Sequence, residues 1–204
     1  MKFYMTPGSC SMGIHILLEE IDRPFEAYIV DLLAGGNREP EFLAINPKAS
    51  IPTLVRDDGS ALTEFQAIAC WLARSYPKTG LMPGNLEGEV RAIETMDYVV
   101  GTIHGQGYTR IFVPDNYAPN PADHEAIKTR GQEIVAECFA VMDAALAGHE
   151  YVADSFSIAD AALFYVEFWA DKINIALPQN CLAHYRCMLT RPAVQRVLRE
   201  EGYR

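Results

Sequence analysis

Strand-like and helix-like runs alternate through the first 76 residues of this chain, and after Pro77 the alternation stops. That switch restricts the fold more than any other feature. Lys2–Met5 reads as a strand, and the stretch from residue 12 to residue 21 as a helix. Ile14, Leu17, Leu18 and Ile21 share one face there, at the i, i+3, i+4, i+7 spacing of an amphipathic helix. The stretch 25–30 reads as a second strand. Residues 32–45 are interrupted by glycine, with a short helix expected near 39–43. Thr53-Leu54-Val55 and Ala61-Leu62-Thr63 are short strands joined by Asp57-Asp58-Gly59, a hairpin turn signal. A helix follows over 64–76. A β–α–β unit implies a parallel strand pair with a right-handed crossover, and the hairpin adds antiparallel strands.

Pro77 ends that helix, and residues 78–86, Lys-Thr-Gly-Leu-Met-Pro-Gly-Asn-Leu, read as a linker. The remainder, 87–204, reads as all helical. A long segment over 87–111 is interrupted by Gly101, Gly105 and Gly107. A second long helix is expected over 121–147, a strongly apolar one over 157–174, and two shorter ones near 181–189 and 193–200. The expected architecture is an α/β domain over 1–77 followed by an all-α domain over 87–204.

At 204 residues, the chain can form one large domain or two small ones around a sizeable core. Its net charge of −10 argues against broad binding to nucleic acid or an anionic membrane, yet leaves room for a local pocket that takes a small anion. No apolar run approaches the roughly 20 residues that span a bilayer. The N-terminus opens on a strand pattern rather than on a basic segment and an apolar signal core. The five cysteines are odd in number and include no C-x-x-C pair, which suggests neither a disulfide framework nor a zinc site. A reducing cytoplasm is the expected compartment, with no metal.

Thr6-Pro7-Gly8-Ser9-Cys10-Ser11 lies between the first strand and the first helix. Pro7 and Gly8 make the turn, so Ser9 and Cys10 fall at the helix N-terminus, where unpaired N–H groups and the positive end of the helix dipole concentrate. A thiol there is expected to ionise more easily, as a nucleophile or as a stabiliser of another molecule's thiolate. The alternative is a small apolar residue tucked under the helix. Asn46-Pro47-Lys48 leads to Ile51-Pro52 at the mouth of the third strand. A cis Pro52 would turn the Ile51 backbone outward as an edge for an extended peptide ligand; an ordinary trans turn is the alternative. Glu64-Phe65-Gln66 opens a helix, whose N–H groups suit a carboxylate. Glu64 balances a ligand's ammonium or only complements the helix dipole.

Taken together, Tyr4-x-x-Pro7-Gly8-Ser9-Cys10-Ser11, Asn46-Pro47-Lys48 with Ile51-Pro52, and Leu62-Thr63-Glu64 with Ala67-Ile68 resemble the glutathione transferase family, most closely its bacterial beta class. Ser157-Ile158-Ala159-Asp160 resembles the family's helix-capping signature and Arg191-Pro192 its C-terminal motif, so the resemblance covers the whole chain. It implies a thioredoxin-like N-terminal domain, a C-terminal helical bundle, a cis Pro52, a cytoplasmic homodimer with a role in detoxification, and glutathione as co-substrate in a cleft between the domains. By the same resemblance Cys10 lies beside the glutathione sulfur, flanked by Ser9 and Ser11. Ile51, with Pro52 and Lys48, binds the tripeptide backbone, and Glu64 meets the γ-glutamyl ammonium. Asp97 reaches that ammonium from the partner subunit, and His104 faces the thiol or the glycyl end. Tyr108, Phe112 and Tyr165 are expected to line the apolar substrate pocket.

Three departures stand out. Phe65 replaces the small residue that follows Glu64 in the beta class, Gly105 replaces a basic residue after the histidine, and Ala34-Gly35-Gly36 lacks the basic residue found after the second strand. They imply weaker or shifted glutathione binding, or, for Phe65, a role as a dimer-interface aromatic. Three functions follow: conjugation of glutathione to small apolar electrophiles; glutathione-linked thiol–disulfide exchange through Cys10; or a non-catalytic module that binds apolar ligands or a protein partner.

Overall fold

In the computed structural model, which describes residues 1–203, a four-stranded sheet in the order β2-β1-β3-β4 is formed by β1 (Lys2–Met5), β2 (Glu26–Ile29), β3 (Thr53–Val55) and β4 (Ala61–Thr63). β1 runs parallel to β2, with Phe3 opposite Ala27, and antiparallel to β3, with Phe3 opposite Leu54. The hairpin expected at 57–59 pairs β3 with β4, Leu54 opposite Leu62. Phe3, Met5 and Leu54 turn inward under α1 (Ser11–Ile21), nine of whose eleven residues are buried. A short α2 (Pro40–Leu43) and then α3 (Phe65–Ser75) complete the first domain. The strand and helix order is the one the sequence predicts, with ends displaced by a residue or two, as is usual where helix termini fray.

No strand occurs after Thr63 among the described residues. The segment expected as one interrupted helix over 87–111 is α4 (Leu86–Asp97), then eleven residues of wider π winding (Tyr98–Tyr108), then α5 (Thr109–Phe112). Glycine weakens ordinary helix, and one glycine here, Gly107, faces one on the next helix, Gly131, where the two helices meet. A Cβ on Gly107 would stand 2.6 Å from Val135 on α6 (His124–Ala145), and one on Gly131 of α6 would stand 2.8 Å from the Gly107 carbonyl.

α7 (Ile158–Lys172) is the axis of the molecule, buried from Ile158 to Ala170, as a helix apolar all round must be. Its start is fixed by the capping box read from the sequence: Asp160 accepts from the Ser157 N–H at 2.7 Å, and Ser157 Oγ accepts from the Ala159 N–H at 3.3 Å. α8 (Gln179–Thr190) and α9 (Pro192–Glu200) pack around it. The two domains share one core. Gly13 of α1 sits so close to α7 that a Cβ would meet the Ala161 carbonyl at 2.7 Å. Arg191 Nη2 pairs with Glu20 at 2.8 Å, and Arg196 with Glu19 at 2.6 Å.

Beneath α7 lies an ionic cluster closed to water. His184 Nδ1 is 2.8 Å from Glu167 and its Nε2 is 3.2 Å from Asp160, all three side chains being fully buried. Burial alone would push the imidazole pKa down, but the charges and hydrogen bonds of Glu167 and Asp160 outweigh it and raise the value, so His184 is the cation of the cluster. His184→Ala strands the two carboxylates and should cost about 3–5 kcal/mol of stability, measured as a lower midpoint in urea denaturation.

Candidate active site in the interdomain cleft

The turn that leads into α1 is held from several sides. Gly8 has φ +73, and a Cβ there would run into the Tyr203 hydroxyl, so glycine is required on two counts. Its N–H donates to Glu201 Oε2 at 2.7 Å, and its carbonyl accepts from Trp169 Nε1 at 2.7 Å. Cys10 is the residue that begins α1, in helical conformation, and Ser11 is the first residue inside.

The expectation of an easily ionised Cys10 is overturned. Burial pushes its thiol up to about 12, and the backbone N–H groups of Cys10 and Ser11 pull it down only in part. The sulfur is half-buried and lies 3.8 Å from the Ile51 carbonyl, toward which its S–H points as donor. In the free protein Cys10 is a neutral thiol.

Ile51–Pro52 is cis, and the Ile51 carbonyl faces Cys10. The loop before it is built on buried Asn46, whose Nδ2 donates to the Ser50 carbonyl at 2.8 Å and to Thr53 Oγ1 at 2.9 Å. Its Oδ1 accepts from the Lys48 N–H at 3.0 Å. Lys48 Nζ then reaches Glu64 at 2.7 Å and Thr63 Oγ1 at 2.9 Å. Glu64 is exposed and holds φ 71, ψ 129, a conformation a non-glycine residue keeps only where its surroundings impose it. Beyond it the N–H groups of Phe65 and Gln66 have no acceptor within α3 and point along the helix axis.

Several expected site residues lie elsewhere. Phe65 neither fronts the site nor lies on the surface as a dimer contact. Its ring is buried, 5.5 Å from the Tyr165 ring, and lies 2.8 Å from where a Cβ on Gly13 would stand. It fills the space that Gly13 leaves between α1, α3 and α7. Ser11 is buried, its Oγ donating to the Thr6 carbonyl at 3.1 Å and contacting Ser9 Oγ at 2.6 Å, so it braces the turn. Tyr108 and Tyr165 are fully buried, and the Tyr108 hydroxyl donates to the Val166 carbonyl at 2.8 Å. They are core, because the π winding and α7 turn those faces toward each other. Asp97 is exposed and accepts from Gln66 Nε2 at 3.2 Å on its own chain.

His104, half-buried on the π segment, meets the edge of Trp169 at 4.9 Å between centroids and the Tyr165 hydroxyl at 3.3 Å from Nδ1. Burial lowers its pKa to about 4, so the ring is neutral. No hydrogen bond joins it to Cys10; its polar partner is the Tyr165 hydroxyl, whose own ionisation is opposed above all by burial.

Of the expected pocket aromatics only Phe112 stands at an opening. It borders a cleft of about 440 Å³ together with Phe168, Trp169, Ile173 and Tyr203, and the cleft opens at its other end on Pro7, Gly8 and Ser9. The sequence reading missed these four apolar residues. Trp169 carried a usable signal, as one of only two tryptophans, set in the run Phe168-Trp169.

Two family models match the chain: Glutathione S-transferase, N-terminal domain, over residues 8–75, and Glutathione S-transferase, C-terminal domain, over residues 125–197. The chain belongs to the glutathione S-transferase family. The structure of a sphingomonad glutathione S-transferase complexed with glutathione is 30% identical, covers 99% of both chains and superposes with a TM-score of 0.85. A bacterial beta-class glutathione S-transferase from Sphingomonas chungbukensis is 29% identical, covers 99% of both chains and gives a TM-score of 0.84. Glutathione S-transferase GstA of Escherichia coli O157:H7 is 38% identical over 117 residues, which is 56% of this chain and 58% of that relative. The fold expected from the resemblance, a thioredoxin-like domain followed by a helical one, is the one observed, and no helix is long and apolar enough to cross a membrane.

Two outcomes test this site. Phe65→Ser should destabilise the protein by at least about 3 kcal/mol in chemical denaturation, because it empties a core position. Alkylation of Cys10, followed by peptide mass spectrometry, should be slow at pH 7. It should rise about tenfold per pH unit without a plateau up to pH 10, since the thiolate fraction is still climbing below a pKa of about 12.

Proposed function

We propose that this protein joins glutathione to small apolar electrophiles. The observation that carries the reading is the aromatic cleft that opens directly on Ser9, one residue from Cys10. The tripeptide lies extended against the outward backbone of Ile51. Its γ-glutamyl carboxylate takes the free N–H groups of Phe65 and Gln66, and its ammonium takes Glu64, whose partner Lys48 gives way. The sulfur then rests at Ser9 and Cys10. A neutral Cys10 donates its S–H to the glutathione thiolate and lowers that thiol's pKa by stabilising its anion, while the electrophile sits against Phe112, Phe168 and Trp169. The attacking electron pair comes from glutathione, and the leaving group departs into the open cleft. His104, uncharged, positions Tyr165 and Trp169 behind the site.

The same observations weigh against thiol–disulfide exchange as the main activity. That chemistry needs the Cys10 thiolate, which burial suppresses. We propose further that the protein is a cytoplasmic homodimer. Leu86 and Val90, both exposed on α4, lie on the helix that ends at Asp97 and supply apolar surface for a partner.

Steady-state conjugation of an aryl halide, with calorimetry of glutathione, tests the reading. Phe112→Ala should raise KM for the aryl halide several-fold and leave glutathione affinity within about twofold, since the ring is exposed and touches only the second substrate. Absence of conjugation despite glutathione binding would instead favour a binding module.

A further inference from the structure

On the far side of α1 from the cleft, His15, Glu19 and Glu200 bring one donor atom each within 4.8 Å of one another. His15 is 3% exposed. Its Nδ1 faces Glu201 Oε1 at 2.9 Å, and a carboxylate there accepts the ring proton, so Nε2 is the nitrogen left for another partner. That Nε2 is buried and has no hydrogen-bond partner. It stands 3.2 Å from Glu200 Oε2, but at an angle that makes no hydrogen bond. In the neutral tautomer two acceptors thus face each other at close range, beside a further carboxylate, Glu19. Such an arrangement is repulsive unless a cation fills it. A proton on Nε2 points away from Glu200 and does so poorly.

We propose that His15, Glu19 and Glu200 form a site for a divalent transition-metal ion of the zinc type. A tetrahedral ion with bonds of about 2.0 Å sets its ligands about 3.3 Å apart, which the His15–Glu200 distance already matches. The imidazole nitrogen selects zinc, cobalt or nickel over magnesium and calcium. Two carboxylates neutralise the ion. The cavity beside the site, about 430 Å³, gives room for a water as fourth ligand. Glu201 is a positioning residue, fixing the tautomer of His15 as a carboxylate behind a metal-bound histidine does. The absence of cysteine pairs hides such a site in the sequence, because α1 and α9 supply its donors and only the fold joins them.

The occupied site ties α9 to α1, and through Glu201, which also accepts from the Gly8 N–H at 2.7 Å, it steadies the turn before Cys10. Arg196 competes, since it holds Glu19 at 2.6 Å in the absence of metal.

Calorimetry with Zn²⁺ and visible spectroscopy with Co²⁺, on metal-free protein without glutathione, test the proposal. One ion should bind per chain, with tetrahedral cobalt bands and no thiolate charge-transfer band. Glu200→Gln and Glu19→Gln should each weaken binding at least tenfold, and Arg196→Gln should tighten it by freeing Glu19. Glu200 is half-exposed, so its variant keeps the fold. No one-to-one binding, a thiolate band, or an affinity that Glu200→Gln leaves unchanged would overturn the site and leave His15 as an ion-paired core residue.

Discussion

The closeness of α1 to α7 governs the rest of this structure. Gly13 permits it: any side chain there would strike the Ala161 carbonyl on one side and the Phe65 ring on the other. Because the helices touch at backbone distance, the sheet domain and the helical domain have one continuous core rather than two cores with a seam. The cleft is then the gap that remains where α1 begins and α7 ends. Its walls keep their separation because each is anchored below, α1 by the sheet and α7 by its capping box and the buried His184 cluster. Trp169 links the walls directly, lining the cleft with its ring and donating to the Gly8 carbonyl.

The thiol at the head of α1 shows how two electrostatic effects of opposite sign are ranked. A helix N-terminus favours a thiolate by an amount typical of half a charge at close range. Removing the sulfur from water disfavours the thiolate more, and the balance lies on the side of the neutral thiol. Sequence position reveals the first effect and is blind to the second, since the desolvation comes from neighbours distant in the chain such as Ile51 and Tyr165. A cysteine of this kind is a hydrogen-bond donor before it is a nucleophile, and that ordering is what separates the proposed conjugation from disulfide chemistry.

The legible parts of the sequence were those set by local rules. Strand alternation, the Asp58-Gly59 turn, the Ser157–Asp160 cap and the break at Pro77 each depend on a few adjacent residues, and each is found in place. Of the motif residues at fixed chain positions, Cys10 and Ile51 are brought into contact, the sulfur 3.8 Å from the Ile51 carbonyl. The aromatics were not legible. Tyr108 and Phe112 are one turn apart and stack at 5.5 Å, yet one is fully buried and the other exposed. Which of two such residues faces a cavity depends on the π winding of the preceding eleven residues and on where α7 lies, and neither is written locally. Phe65 carries the same lesson in reverse: its place beside Glu64 suggests the site, but its ring packs in the space above Gly13.

A net charge of −10 is a poor start for a protein proposed to bind glutathione, itself an anion, and the basic residues that the family places after the second strand and after the histidine are absent here. The proposed binding rests on other groups. Lys48, the basic side chain next to the α3 N-terminus, is already paired with Glu64. What remains positive is the backbone: the unpaired N–H groups of Phe65 and Gln66, aligned by α3 and backed by its dipole. Backbone donors carry no sequence signature and do not enter a charge count. The positive φ of Glu64 turns the chain sharply from β4 into α3, where those N–H groups begin the helix. In the proposed mode an acidic surface therefore acts at long range to repel competing polyanions, while the local field at one helix end selects a small carboxylate that reaches it.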